Sequence, residues 1–186
     1  HDDLRVAWIS DSIVAGSSYG PFVGGGVLHQ RVGKLLGWND CWALATGGTG
    51  YVNPGSSSFY TYGQRVPQAL ALDPDLFVLF GSTNDIGQAG VQAAALATLQ
   101  AIRAGSRAPI IVLGLWPLNN AGVATTEAAV AAAVAQFADP LGKTFWIPLH
   151  ADPVLPWVTG VWNNAALTGS TNQSMMISGD DVHPAD

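Results

Sequence analysis

Ser12, Asp180 and His183 have the residue types of a nucleophile, an orienting carboxylate and a general base, the three parts needed for acyl transfer through a serine. Ser12 lies in Ser10-Asp11-Ser12, where the apolar run Val6-Ala7-Trp8-Ile9 gives way to small residues and Gly16. A serine between the end of a buried strand and the start of a helix has its hydroxyl lifted out of the sheet beside free backbone N–H groups. Asp180 and His183 are three apart, so a helical or turn-like backbone points both to one side. The carboxylate then holds one imidazole nitrogen and leaves the other to take the serine proton. Asp181 is a competing orienter at a less suitable spacing of two, and the alternative to any such role is a solvated turn of Asp180 and Asp181 before Pro184.

An acyl-transfer centre also needs donors for an oxyanion. Thr46-Gly47-Gly48-Thr49-Gly50 permits a sharp turn with an amide N–H turned towards a developing charge, or simply an ordinary turn out of a strand. Asn84, in Gly81-Ser82-Thr83-Asn84-Asp85, offers a carboxamide donor just past another apolar run, or an Asx-turn with Asp85.

The elements that must position these residues follow from periodicity. Five apolar runs of strand length, Arg5–Ile9, Cys41–Ala45, Leu76–Phe80, Ile110–Leu115 and Thr144–Pro148, alternate with helical patterns over Val23–Leu36, Gln64–Leu72, Val91–Ala104 and Thr125–Ala138. Runs apolar on both faces belong to a parallel sheet covered by helices on each side, so the expected fold is a three-layer α/β/α sandwich with a five-stranded parallel sheet. Ligands in such sheets bind outside the carboxyl ends of the strands. The segments after the runs, including Trp116–Asn120 and the closing Asp180–Pro184, should therefore converge on one rim. Residues 151–178 carry few regular signals and read as a long loop, either a functional wall or lid or a poorly ordered segment. Trp116, Trp157, Trp162, Tyr51, Tyr60 and Tyr62 are candidates either for stacking on a substrate or for hydrophobic cover.

Composition narrows the partners. The 186 residues fit one domain, 1–186, with one sizeable core. A net charge of -6, with seven Lys and Arg spread singly, offers no basic stripe and excludes a nucleic-acid partner. Cys41 is the only cysteine, which leaves no internal disulfide and no multi-cysteine metal site; its apolar surroundings read as a buried, inert thiol. His29 and His150 have no second ligand at metal spacing, so neither a metal nor another cofactor is expected. The alanine-rich tract 128–138 is too short to span a bilayer. Few charges with much Ser, Thr, Asn and Gly suit an extracellular or virion-associated protein, and the start at His1 fits a mature product or an excised domain.

In order along almost the whole chain, Ser10-Asp11-Ser12, Gly47 or Gly48, Gly81-x-x-Asn84-Asp85 and Asp180-x-x-His183-Pro184 resemble the four blocks of the SGNH hydrolases, the GDSL-type esterases and lipases. The resemblance implies a flavodoxin-like sandwich of the SGNH type and a serine esterase without cofactor. Ser12 would be the nucleophile, His183 the base and Asp180 the orienter. The Ser12 N–H, the Gly47 N–H and the Asn84 side chain would form the oxyanion hole. Gly47 is preferred because Gly47-Gly48-Thr49 is similar to the family's Gly-Asp-Thr. Short or carbohydrate-borne acyl groups such as O-acetyl, on small molecules or polysaccharides, are the expected substrates. Two rivals use the same residues or the same fold: an acyltransferase, and a non-catalytic carbohydrate- or receptor-binding module of a virion or cell-surface assembly.

The chain also departs from the family pattern. Ser10 stands where the family has glycine, which marks that turn for strain, and one extra residue separates Gly81 from Asn84. The resemblance would lead one to expect a terminal helix after Asp186; here it is either absent or supplied by a separate chain or the remainder of a longer protein.

Overall fold

The computed structural model describes residues 4–16, 28–56, 60–116 and 120–150, together with two short strands at 162–163 and 168–169. In chain order the elements are β1 (Arg5–Ser10), α1 (Ser12–Ala15), α2 (Leu28–Leu36), β2 (Asp40–Ala45), α3 (Tyr62–Ala71), β3 (Leu76–Phe80), a 3₁₀ turn (Thr83–Asp85), α4 (Val91–Gly105), β4 (Ile110–Leu113), α5 (Ala121–Phe137), β5 (Thr144–Ile147), β6 (Trp162–Asn163) and β7 (Thr168–Gly169). β1 to β5 form one sheet in the order β2-β1-β3-β4-β5, every pairing parallel, and β6 pairs antiparallel with β7.

All five expected strands are present. β1 and β3 sit at the centre and are apolar on both faces because both faces are covered. On one face Ala7, Ile9, Phe77, Leu79, Ile110 and Val112 pack against α3, α4 and α5. On the other, Val6, Trp8, Val78 and Phe80 pack against α1, with α2 alongside. The register sets Ser10 beside Ala45 and Phe80, so the three strands end level and their following loops meet.

Helix starts differ from the sequence reading where a side-chain cap overrides periodicity. α5 begins at Ala121, not Thr125, because the Asn120 carboxamide oxygen accepts the Gly122 N–H at 2.8 Å. α3 begins at Tyr62 because Thr61 and Gln64 form a reciprocal capping box. Of the helix expected over Val23–Leu36, Leu28–Leu36 is described, and 23–27 lie outside the described residues, as does most of the loop expected over 151–178. The Cys41 thiol, half-buried and 3.4 Å from the Trp38 carbonyl, is pushed up by burial away from reactivity. No described helix is long and apolar enough to cross a membrane.

The turn from α5 into β5 is closed by Asp139. Its carboxylate takes a two-point contact from Arg103, at 2.8 and 3.0 Å, plus the Leu141 and Lys143 N–H groups and the Thr144 hydroxyl. Burial raises its pKa, but these donors outweigh burial and bring it down to about 2. A carboxyl depressed in the folded state adds stability above its unfolded pKa of about 3.9, and that stability is lost as pH falls towards the folded value. Wild type is therefore expected to lose on the order of 1–2 kcal/mol between pH 4 and pH 2 through this residue, after allowance for screening near the surface. Asp139→Asn should flatten that limb in denaturation curves recorded across the range; an unchanged slope would refute the assignment.

Candidate active site

Asp11 and Ser12 form the junction between β1 and α1. Asp11 is the N-cap: its Oδ1 accepts the Ile13 N–H at 2.9 Å, which starts the helix and sets Ser12 on its first turn. Ser12 is half-buried, whereas Asp11 and Ser10 are fully enclosed. The Ser10 hydroxyl donates to the Phe80 carbonyl at 2.6 Å. Ser10 is an ordinary strand residue without positive φ, so the strain expected there is absent.

The strain lies instead at the end of β3. Gly81 has φ +119°, and a Cβ there would collide with the Asp11 carboxylate and the Tyr62 hydroxyl. Ser82 follows in the left-handed region at φ +81°, costly for a residue with a Cβ. Three hydrogen bonds hold it: its N–H reaches Asp11 Oδ2 and the Tyr62 hydroxyl, both at 3.1 Å, and its own hydroxyl donates to Asp85 Oδ2 at 2.6 Å. The 3₁₀ turn that follows this left-handed residue carries the Asn84 carboxamide towards Asp11 and Thr49. There its Nδ2 donates to the Thr49 carbonyl at 2.9 Å and lies 3.4 Å from Asp11 Oδ2.

The loop after β2 completes the rim. A Cβ built on Gly47 would stand 3.6 Å from the Ser12 Cβ, so Gly47 lies directly against the serine. Further along, the buried Asp85 carboxylate gathers the Tyr51, Val52 and Asn53 N–H groups at 2.6, 3.2 and 2.8 Å. Gly50 makes this approach possible, since a side chain there would occupy the carboxylate's place. Asn53 reciprocates by donating to the Asn84 carbonyl at 3.1 Å.

Beneath these loops sit Tyr62 and Arg65 of α3, both enclosed. Burial, and next the Asp11 charge, push the Tyr62 phenol well up, so it stays a neutral hydroxyl that donates to the Phe80 carbonyl at 3.1 Å. Tyr51 is likewise pushed up by burial, and its ring centroid lies 4.8 Å from that of Tyr62. Burial pulls the Arg65 guanidinium down from its usual value; it remains a cation at neutral pH.

The structure thus places Ser12, Gly47 and Asn84 in the segments that follow β1, β2 and β3, with Gly47 against Ser12 and the Asn84 carboxamide against Thr49 and Asp11. Asp180 and His183 lie outside the described residues. Tyr51 and Tyr62 belong to the core and are not free to stack on a ligand, Trp116 packs against both cores, and Tyr60 is exposed. Sequence reasoning missed three buried charges. Asp85 reads from sequence as a turn partner of Asn84 and a member of its block, with no sign of its buried role, and nothing in the spacing singles out Arg65. Glu127 of α5 accepts the Leu115 N–H at 2.8 Å and the His150 N–H at 3.0 Å, tying together the ends of β4 and β5. A single acid in the helical pattern Thr125–Ala138 is the available signal for Glu127.

The orientation of Asn84 makes a specific expectation. Asn84→Ala removes a carboxamide that donates to the Thr49 carbonyl and lies 3.4 Å from the Asp11 carboxylate; read as an oxyanion donor, its loss should lower ester turnover by about 10²–10³-fold, with Ser12 still reactive. Steady-state rates beside a folded-state spectrum check it; a variant within a few-fold of wild type would remove Asn84 from the site.

The family model for the GDSL-like lipase/acylhydrolase family matches residues 11–186. No curated protein sequence matches significantly. Among solved structures, the chain is similar to a family 3 carbohydrate esterase of Clostridium thermocellum, at 15% identity and TM-score 0.60 over 100% of this chain and 89% of that one. It is similar also to an acetyl esterase S10A mutant with an acetate ion, at 18% identity and TM-score 0.57 over 97% and 88%. A third likeness is to AlinE4, an SGNH-hydrolase family esterase, at 15% identity and TM-score 0.55 over 85% and 82%. At these identities the neighbours establish the α/β fold.

Proposed function

Because the chain belongs to the GDSL-like lipase/acylhydrolase family, we propose that it is a serine ester hydrolase acting through Ser12. His183, oriented by Asp180, takes the Ser12 proton as the oxygen attacks an ester carbonyl. The oxyanion that forms is held by the Ser12 and Gly47 N–H groups and the Asn84 carboxamide. The alcohol leaves with the proton from His183, and water then releases the acid from Ser12 by the same route. The observation that carries this reading is the convergence of Ser12, Gly47 and Asn84 from three separate strand ends.

Short acyl groups on carbohydrates, O-acetyl above all, are the proposed substrates. The small, uncharged residues of the Gly47–Gly50 loop support this, as do the carbohydrate esterase and the acetyl esterase that share the fold. A fluorophosphonate probe tests the chemistry: the expected result is one mass adduct on the peptide containing Ser12, lost in Ser12→Ala. No adduct on folded protein would overturn the esterase and favour a binding module. Acetyl esters should turn over faster than long-chain esters, and release of the acyl group to a sugar hydroxyl in place of water would make the protein a transferase.

A further inference from the structure

We infer that Arg65 is a positioning residue for this centre: its buried guanidinium locks the ends of β1 and β2 together and, through Thr49, sets the carboxamide of Asn84. The inference rests on the reading of Asn84 as an oxyanion donor.

The contacts form one continuous chain. Arg65 Nη1 donates to the Ser10 carbonyl at 2.7 Å, the last residue of β1 and two before the nucleophile. The same nitrogen reaches the Leu44 carbonyl near the end of β2 at 3.2 Å. Nη2 donates to the Thr49 hydroxyl at 2.5 Å. That hydroxyl donates onward to the Thr46 carbonyl at 2.6 Å, which closes the loop carrying Gly47. The Thr49 carbonyl in turn accepts the Asn84 Nδ2–H at 2.9 Å. One side chain thereby touches the nucleophile's strand directly, braces the Gly47 loop, and fixes the acceptor that orients Asn84.

Burying a cation this deeply, at 3% exposure, is expensive unless its hydrogen bonds are satisfied. These acceptors are neutral oxygens, and Tyr62 presents its ring 5.7 Å from the guanidinium carbon. A hydrophobic side chain would fill the space beneath the loops at less cost, but it would leave the Ser10, Leu44 and Thr49 oxygens without a common partner. The planar fork of arginine spans these acceptors at once, whereas a lysine ammonium offers one point charge.

Misplacing a donor by about 1 Å costs on the order of 10²-fold in rate without weakening ground-state binding to match. Arg65→Met is therefore expected to lower kcat by about 10–10²-fold while KM stays within about twofold, and Arg65→Lys to restore only part of the loss. Thr49→Val, nearly isosteric, removes only the relay hydroxyl and should reproduce the direction of the effect; it carries the test if Arg65→Met does not fold. The second readout needs no turnover. The side-chain ¹H–¹⁵N pair of Asn84, identified by its disappearance in Asn84→Ala, should shift in Thr49→Val and in every folded Arg65 variant. An Asn84 pair that does not move, or Thr49→Val with wild-type kcat, overturns the inference. Wild-type protein with no esterase turnover overturns the proposed function instead, and the Asn84 resonance still decides whether Arg65 positions it.

Discussion

Ser12→Ala is expected to lower ester turnover by about 10⁴-fold or more while leaving the denaturation midpoint within about 0.5 kcal/mol of wild type. The two halves of this result come from the same geometry. Asp11, not Ser12, caps α1, and alanine is a good helix former on a first turn, so the helix keeps its cap. The reaction has no such substitute, since without the hydroxyl oxygen no acyl-enzyme forms. What remains is whatever acceleration the oxyanion donors give to direct attack by water. Ser10→Ala reverses the pattern. It deletes the 2.6 Å bond to the Phe80 carbonyl inside the sheet and should cost about 1 kcal/mol of stability, with the fluorophosphonate adduct retained. Turnover of Ser12→Ala above about one hundredth of wild type would mean that the chemistry lies elsewhere.

The contrast between these serines shows what was legible in the residues. Strand placement was, because β1 and β3 are buried on both faces and read as unbroken apolar runs. The convergence of Ser12, Gly47 and Asn84 followed from it, since a parallel sheet delivers its loops to one edge. What spacing could not convey was how the loops are held. The left-handed Ser82 is stabilised by Asp11 and Tyr62, which are 71 and 20 residues away in sequence. No local pattern encodes such a partnership. The visible departure from the family's glycine points to strain at Ser10, whereas the positive φ angles lie at Gly81 and Ser82. Tyr62 and Tyr51, which flank a Ser-rich stretch, allow either stacking on a substrate or hydrophobic cover from sequence alone; packing turns both inward. The start of α5 at Ala121 is hidden for a similar reason, because its cap by Asn120 is a single hydrogen bond and periodicity is blind to it.

Asp85→Ala should produce the largest loss of stability of any substitution in this site, about 3–5 kcal/mol against the 5–15 kcal/mol typical of a whole domain. Its carboxylate is fully buried and receives the Tyr51, Val52 and Asn53 N–H groups together with the Ser82 hydroxyl. Truncation strands these donors, each costing about 1–3 kcal/mol when water cannot reach it, and partial relaxation reduces the sum. For a chain of this length the midpoint of thermal unfolding should fall by about 10 °C. Asp85→Asn is no rescue in this setting, because its NH₂ would point at donors where acceptors are required. Catalysis should suffer beyond the loss of folded protein, since the same carboxylate joins the loop after β2 to the turn bearing Asn84. With both variants held well below their melting temperatures, kcat should remain at least about tenfold below wild type, as a displaced oxyanion donor predicts. A melting temperature within 2–3 °C of wild type, about 1 kcal/mol or less, would mean that these four donors find other partners. In that case Asp85 would not be the residue that couples the two loops.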